Sequence, residues 1–471
     1  MRLIHNIIGR SAGGGRREGG REMNWSRQAC GIVLTALLFS IIPCANAQNV
    51  IAYNEGTPSE RILAFFTPPS AAPNQWAYAY KTGFAGTWHS WKLIGWPPRP
   101  SLTRPLSAIT YRDNNGLRWI YVFGGGSDGR LYLTYCYGPA CDTPESWPWI
   151  DLGAPDLPSG IITHSAPWTI TYRDTNGAQR IYVFFAGTDQ KLWMCVCVGP
   201  ECGTINSAPG CTWSSPASLA NMPPLGPHDS AGAMQPRAIT YRDGDVATSN
   251  QQIYVFARSE DNRLLLARCT GPACEWSWQA LGSPNAVTPI ALKKSPYPIT
   301  YRDIAGRRIN VFTLAEDGKL HMASCTGGQC DDAQASWPWE NRGTWDNRNL
   351  DKPPQAITFH QEGNQRIYVF AHHTFDHLVV NYFDGSRWSW RPISGMSEPS
   401  RYGFPGVLTY RVHFPHRLHR IFVVARKLPN VPGVLQPGDQ EFYSARCTGK
   451  YCYPVGSAPF SWTIQPYGAP Q

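Results

Sequence analysis

The chain has 471 residues, with 42 Lys and Arg against 33 Asp and Glu, for a formal charge of +9. The excess contains no Lys/Arg run and no polybasic stripe, which argues against a nucleic-acid partner. No apolar stretch approaches 18 residues, so no membrane span is expected.

The first 47 residues read as an export signal. Met23–Arg27 is a short positive segment, Gly31–Ile42 an apolar run too short to span a bilayer, and Ala45-Asn46-Ala47 a cleavage site. Gly19-Gly20-Arg21-Glu22 can be encoded by purines alone, as a ribosome-binding site would be. The expected start is therefore Met23 and the expected source bacterial. Cleavage removes six Arg and two Glu and lowers the formal charge from +9 to +5. Residues 48–471 are then the mature protein.

From there one pattern repeats. AITYRD at Ala108–Asp113 is followed by Ile120-Tyr121-Val122-Phe123, and TITYRD at Thr169–Asp174 by Ile181–Phe184. Ala238–Asp243 and Pro298–Asp303 precede Ile253–Phe256 and Ile309–Phe312 in the same way. Weaker copies at Ile51–Glu55, Ala356–Gln361 and Val407–Val412 bring the number of units to seven. Fixed-period self-similarity decides the architecture before any other signal does.

The fourth unit shows what one repeat folds into. Runs over 238–243, 252–258, 264–269 and 275–281 are rich in β-branched and aromatic residues and are separated by turn residues. Four strands of this size cannot cover both faces of their own sheet. Seven such sheets set radially cover one another, so the expected fold is all-β, a seven-bladed β-propeller of four-stranded antiparallel blades. The chain begins on a first strand and ends on a fourth. Ring closure is therefore expected to rest on face packing between units one and seven.

Cysteine usage fits an oxidising compartment. C-x-G-x-x-C occurs five times, at Cys136/Cys141, Cys197/Cys202, Cys269/Cys274, Cys325/Cys330 and Cys447/Cys452. The spacing is wrong for zinc and right for a stapled hairpin turn. Cys195 and Cys211 remain and share a unit, so they are expected to pair. Units one and six lack the cysteines. In unit six Phe383 and Trp388 hold the same spacing, and an aromatic contact is expected there.

The unit has the form RIYVF-x3-D-x-x-L, then a Gly-containing turn, then W-x-W-x-x-LG-x-P. It resembles the blades of bacterial and fungal propeller lectins, the seven-bladed Photorhabdus type and, more distantly, the six-bladed fucose-binding type. The resemblance spans Asn49 to Pro470 and implies sugar pockets between adjacent blades, built from an Arg, an acidic residue and an aromatic ring. Arg180 and Arg366 match that Arg. The third-strand acidic residue has no match: Leu131-Tyr132-Leu133 and Leu264-Leu265-Leu266 carry no Glu.

Candidate binding residues are the refrain itself: Tyr111, Arg112 and Asp113; Tyr172, Arg173 and Asp174; Tyr241, Arg242 and Asp243; and Tyr301, Arg302 and Asp303. Two readings stand. Arg and Asp contact sugar hydroxyls while Tyr stacks, with repetition giving avidity; or Asp starts a turn, Arg pairs with a neighbouring blade and Tyr packs. The Trp pairs 147/149, 276/278, 337/339 and 388/390 read as core between blades, since residues two apart share a sheet face.

Histidines cluster in the last two units, at 360, 372, 373, 377, 413, 416 and 419. They read as solvated loop residues, or as a metal site or general base beside a Tyr such as Tyr368. Serine-nucleophile, zinc-protease and phosphate-loop motifs are missing. The expectation is a secreted or periplasmic protein that binds glycans or cell-surface polysaccharide without catalysis and needs no cofactor. The alternatives are an exported polysaccharide lyase or glycoside hydrolase using the His cluster, and a protein-binding scaffold.

Overall fold

Val, Ile, Tyr and Phe crowd the second run of every repeat, and such residues suit a pleated surface packed on both faces. In the computed structural model these runs are the second strands of seven four-stranded antiparallel sheets, each with its strands in sequence order. Blade one is β1 (Asn49–Asn54), β2 (Glu60–Phe66), β3 (Trp76–Thr82) and β4 (Lys92–Ile94). Blade two is β5 (Ser107–Arg112), β6 (Arg118–Gly125), β7 (Leu131–Tyr137) and β8 (Trp149–Gly153). Blade three is β9 (Trp168–Arg173), β10 (Gln179–Ala186), β11 (Leu192–Val198) and β12 (Thr212–Ser214). Blade four is β13 (Arg237–Tyr241), β14 (Gln252–Arg258), β15 (Leu264–Thr270) and β16 (Glu275–Gly282). Blade five is β17 (Tyr297–Asp303), β18 (Gly306–Leu314), β19 (Leu320–Thr326) and β20 (Trp339–Gly343). Blade six is β21 (Gln355–Gln361), β22 (Asn364–His372), β23 (Leu378–Phe383) and β24 (Trp388–Pro392). Blade seven is β25 (Gly406–Arg411), β26 (His419–Arg426), β27 (Phe442–Thr448) and β28 (Thr463–Tyr467).

The described residues are these strands with their shorter connections. Residues 1–48, 55–59, 67–75, 83–87, 90–91, 95–105, 114–115, 139–140, 142, 144–146, 156–164, 174–178, 199–210, 227–235, 242–250, 271–273, 304–305, 333–334, 362–363, 375–377, 394–405, 412–418, 427–441, 449–451, 453–461 and 468–471 lie outside them. The export signal expected over 1–47 falls there.

First strands of successive blades lie side by side, and β1 lies beside both β5 and β25, so the row closes into a ring. The seven-bladed propeller expected from the repeat is the fold. No strand is exchanged between the ends of the chain. Blade one is built wholly from β1–β4 and blade seven wholly from β25–β28, so faces alone close the ring.

The core lies between blades. Phe65 of β2 meets the Trp147 ring of blade two edge-on, with centroids 5.9 Å apart. The same contact recurs as Phe184–Trp276, Phe256–Trp337, Phe312–Trp388 and Phe370–Trp462. Each puts a second-strand Phe against a Trp of the next blade, in the edge-to-face geometry aromatic pairs prefer. The second Trp of a pair reaches the same neighbour through its N–H: Trp339 Nε1 donates to Leu281 O at 3.1 Å and Trp390 Nε1 to Arg342 O at 2.7 Å. Gly124 is required for this packing in blade two, because a Cβ there would fall 1.8 Å from the Trp76 ring.

The staples form as expected at Cys136–Cys141, Cys269–Cys274, Cys325–Cys330 and Cys447–Cys452, and Cys195 pairs with Cys211. Cys202, the expected partner of Cys197, lies outside the described residues. In blade six the Phe383 and Trp388 rings stand opposite each other across β23 and β24, 5.2 Å apart, where five of the other blades carry cysteine.

Candidate functional site

The end of the ring where the first strands terminate collects the repeated refrain, and its three residue types separate there. The tyrosines are core. Tyr111, Tyr172, Tyr241 and Tyr301 are each 5% exposed or less. Tyr241 donates its hydroxyl to Arg307 O and Gly327 O of blade five, both at 3.3 Å. Tyr53 does the same from blade one, donating to Arg118 O at 2.9 Å while accepting from Gly138 N–H at 2.8 Å. These two tyrosines thus tie their strand ends to the next blade. Burial and the nearby Asp113 carboxylate raise the Tyr111 pKa, and burial with Asp303 raises that of Tyr301.

The aspartates serve the turn. Asp113 is buried and accepts from Leu117 N–H at 2.8 Å and from Trp119 Nε1 at 3.0 Å. Asp303 pairs with Arg308 at 2.7 Å. Asp174, Arg242 and Asp243 lie outside the described residues. The arginines alone face solvent: Arg112, Arg173 and Arg302 are exposed at the ends of β5, β9 and β17.

Their backbones are held by the following blade. Arg173 N–H donates to Gln251 Oε1 at 2.9 Å, and Arg302 N–H to Gln365 Oε1 at 2.6 Å. Both glutamines stand just ahead of the Ile-Tyr-Val-Phe strand, separated from it by one residue, and Gln179 holds that position in blade three. Gln recurs there in three units, a signal readable in the sequence, and in two of them it forms this inter-blade clasp.

A cavity of about 270 Å³ opens at this end between blades one, two and three. It is lined by Ala52 and Tyr53 of β1, Thr110, Tyr111 and Arg112 of β5, Arg118 of β6, and Gln179 of β10. Two of the candidate residues, Tyr111 and Arg112, are therefore brought together with three that sequence reasoning missed, Thr110, Arg118 and Gln179. Arg112 Nε donates to Gly116 O at 3.3 Å, and the residue lines the cavity. Among the described lining residues no side chain is a carboxylate.

At the opposite end, the start of one inner strand is closed by a buried cation. Arg237, at the start of β13, is 7% exposed, and its guanidinium lies over the rings of Trp168 at 4.8 Å and Tyr297 at 4.2 Å, which meet each other edge-on. Burial lowers its pKa to about 10. A guanidinium over aromatic rings is a cation–π contact strengthened by desolvation.

The histidine cluster is divided by the strand. His372 and His373 are 1% and 0% exposed. His372 Nδ1 lies 3.6 Å from Asp351 Oδ1, and the His373 ring stands edge-on to Trp345. Rings so enclosed cannot touch a polysaccharide. His377, His413 and His416 lie outside the described residues, as do the side chains of His360 and His419. Among the described residues no group of three or more His, Cys, Asp or Glu is arranged to hold a metal. No described helix is long and apolar enough to cross a membrane.

The positions implied by the lectin resemblance are equally plain. Arg180 is half-buried and Arg366 is 8% exposed. Leu133 and Leu266, on the third strands, are fully buried in the inter-blade core.

No protein-family profile matches the chain, and no curated protein matches it in sequence. Solved structures do match. The BP39L lectin from Burkholderia pseudomallei superposes with a TM-score of 0.54 at 16% identity, over 90% of this chain and 99% of the lectin. The chain shares its fold with a bacterial lectin. A fungal lectin from Aleuria aurantia, described as a six-bladed β-propeller with a novel fucose recognition mode, gives a TM-score of 0.43 at 14% identity over 78% of this chain and 95% of its own.

Proposed function

We propose that the protein is a secreted carbohydrate-binding propeller that acts without catalysis, exported by the segment 1–47 of a bacterial precursor. The observation that carries this reading is the cavity at the first-strand ends. Guanidinium, hydroxyl and amide groups converge there around a single-residue-sized space, a little below the range usual for drug-sized ligands. Such groups recognise the hydroxyls of a glycan. They supply no acid–base pair, and the raised pKa of Tyr111 keeps its phenol protonated near neutrality. The disulfides in blades two to five and seven suit an oxidising compartment outside the cytoplasm.

The reading is tested on an array of bacterial, plant and animal glycans, with released products assayed in parallel. Retention of at least one glycan class without turnover is expected. Turnover of a bound glycan would restore the enzyme reading, and retention of none would end the carbohydrate one.

A further inference from the structure

Arg112 and Arg118 are direct register partners across β5 and β6, and both line the cavity. Arg302 and Arg307 are partners in the same way across β17 and β18. Residues directly opposite in an antiparallel pair project from the same face, and like charges so placed destabilise the sheet. The chain repeats this unfavourable pairing at equivalent positions in two blades. In blade two it stands at the cavity. Arg173, exposed at the end of β9, extends the positive rim towards blade three.

We infer that this rim selects anionic glycans, and that the blade-two cavity takes a sugar residue carrying a carboxylate or sulfate between Arg112 and Arg118. The inference rests on the carbohydrate reading above and adds its ligand class. A guanidinium meets a carboxylate or sulfate through two parallel N–H groups, which neither Lys nor a neutral donor reproduces. Thr110 and Gln179 are placed to meet the ring hydroxyls beside the charge. An anion between the two arginines relieves their mutual repulsion, so affinity is gained on both counts.

The test titrates the purified full-length mature protein with three oligosaccharides of equal length: a uronate, a sulfated and a neutral one. Binding of one or both acidic chains at least about tenfold tighter than the neutral chain is expected, as charge-assisted hydrogen bonds would give. The uronate and sulfated arms separate the two sources of charge. Affinity should fall as salt is raised from about 0.05 to 0.5 M, because the rim is solvent-exposed. Arg112→Ala and Arg118→Ala should each lose about tenfold or more for the acidic chain and little for the neutral one, and Arg112→Lys should recover only part. Equal affinity for acidic and neutral chains, or binding indifferent to salt, would overturn the inference while leaving the carbohydrate reading in place. Binding of none of the three, together with an empty glycan array, would remove both. Should an alanine variant fail to fold, the wild-type salt dependence and the acidic-to-neutral ratio still decide.

Discussion

Among the described residues, five of the seven blade interfaces carry an edge-on Phe–Trp contact, and the one between blades seven and one does not. At an ordinary interface the first cysteine of the staple is buried against the preceding blade, as Cys136, Cys269, Cys325 and Cys447 are, with Phe383 as its aromatic stand-in in blade six. At the seam between blades seven and one that place belongs to Lys81, opposite Ile62 as Cys136 is opposite Ile120. The second-strand Phe that receives a Trp edge at five interfaces is Val424 in blade seven. Trp88 turns its Nε1 to Ser444 Oγ at 3.0 Å instead of to a main-chain carbonyl. Lys81 is fully buried, its amine 5.9 Å from the centre of the Phe422 ring. A closed ring needs one interface formed last, without chain continuity to position it. Here that interface is built from smaller and more polar contacts than the rest.

The largest test installs the seam's residue in an ordinary interface. Phe256→Val removes the ring that meets Trp337 edge-on and leaves a gap in a site 0% exposed. A loss of about 2–4 kcal/mol is expected from the cavity and the aromatic pair together, read as a fall in the denaturation midpoint. A loss below about 1 kcal/mol would mean that the Phe–Trp contact is not what separates the two kinds of interface.

The second test is Lys81→Met. Burial lowers the Lys81 pKa from 10.5 to about 8, helped by Arg446 and Arg420 nearby. Between those two values the unfolded chain binds the proton that the folded chain has released, so folding stability rises with pH across the window. Below pH 8 the penalty is present in full, and above 10.5 it is gone. The wild type should therefore gain roughly 1–3 kcal/mol from pH 7.5 to 10, a range chosen to end before the buried tyrosines ionise. Lys81→Met should flatten that rise and be the more stable protein at pH 7. A flat wild-type profile would show that water reaches the amine and that the seam is looser than its burial indicates.

The contrast also shows what could be read from the sequence. Strand order, blade number and staples were legible because each rests on local, repeated signals: period-two runs, Gly-containing turns and fixed cysteine spacing. The substitution of Phe383 and Trp388 for a staple was legible for the same reason. Lys81 was not, because nothing local marks a lysine as buried; only closure brings it over Phe422, 341 positions along the chain. The site divided along the same line. Arg112 was reachable from the refrain, whereas Arg118 and Gln179 join it through pairing and through the neighbouring blade. The tyrosines carried two readings from the sequence, stacking or packing, because a residue repeated from blade to blade is as easily a tie to the next blade as a surface for a ligand.

The smallest expected effect compares two tryptophans. Trp339→Phe at an ordinary interface leaves the Leu281 carbonyl without its indole donor, and a main-chain carbonyl cannot turn to find another. A cost of about 1–3 kcal/mol follows for such a half-buried acceptor. Trp88→Phe at the seam leaves Ser444, whose hydroxyl rotates freely about its own bond and can be redirected. Its loss should be about 0.5–1 kcal/mol, the worth of an ordinary hydrogen bond. If Trp88→Phe proves the more damaging of the two, the hydrogen bond to Ser444 is what holds blade one to blade seven. The seam would then depend on one polar contact instead of on the apolar faces around Val424 and Leu93.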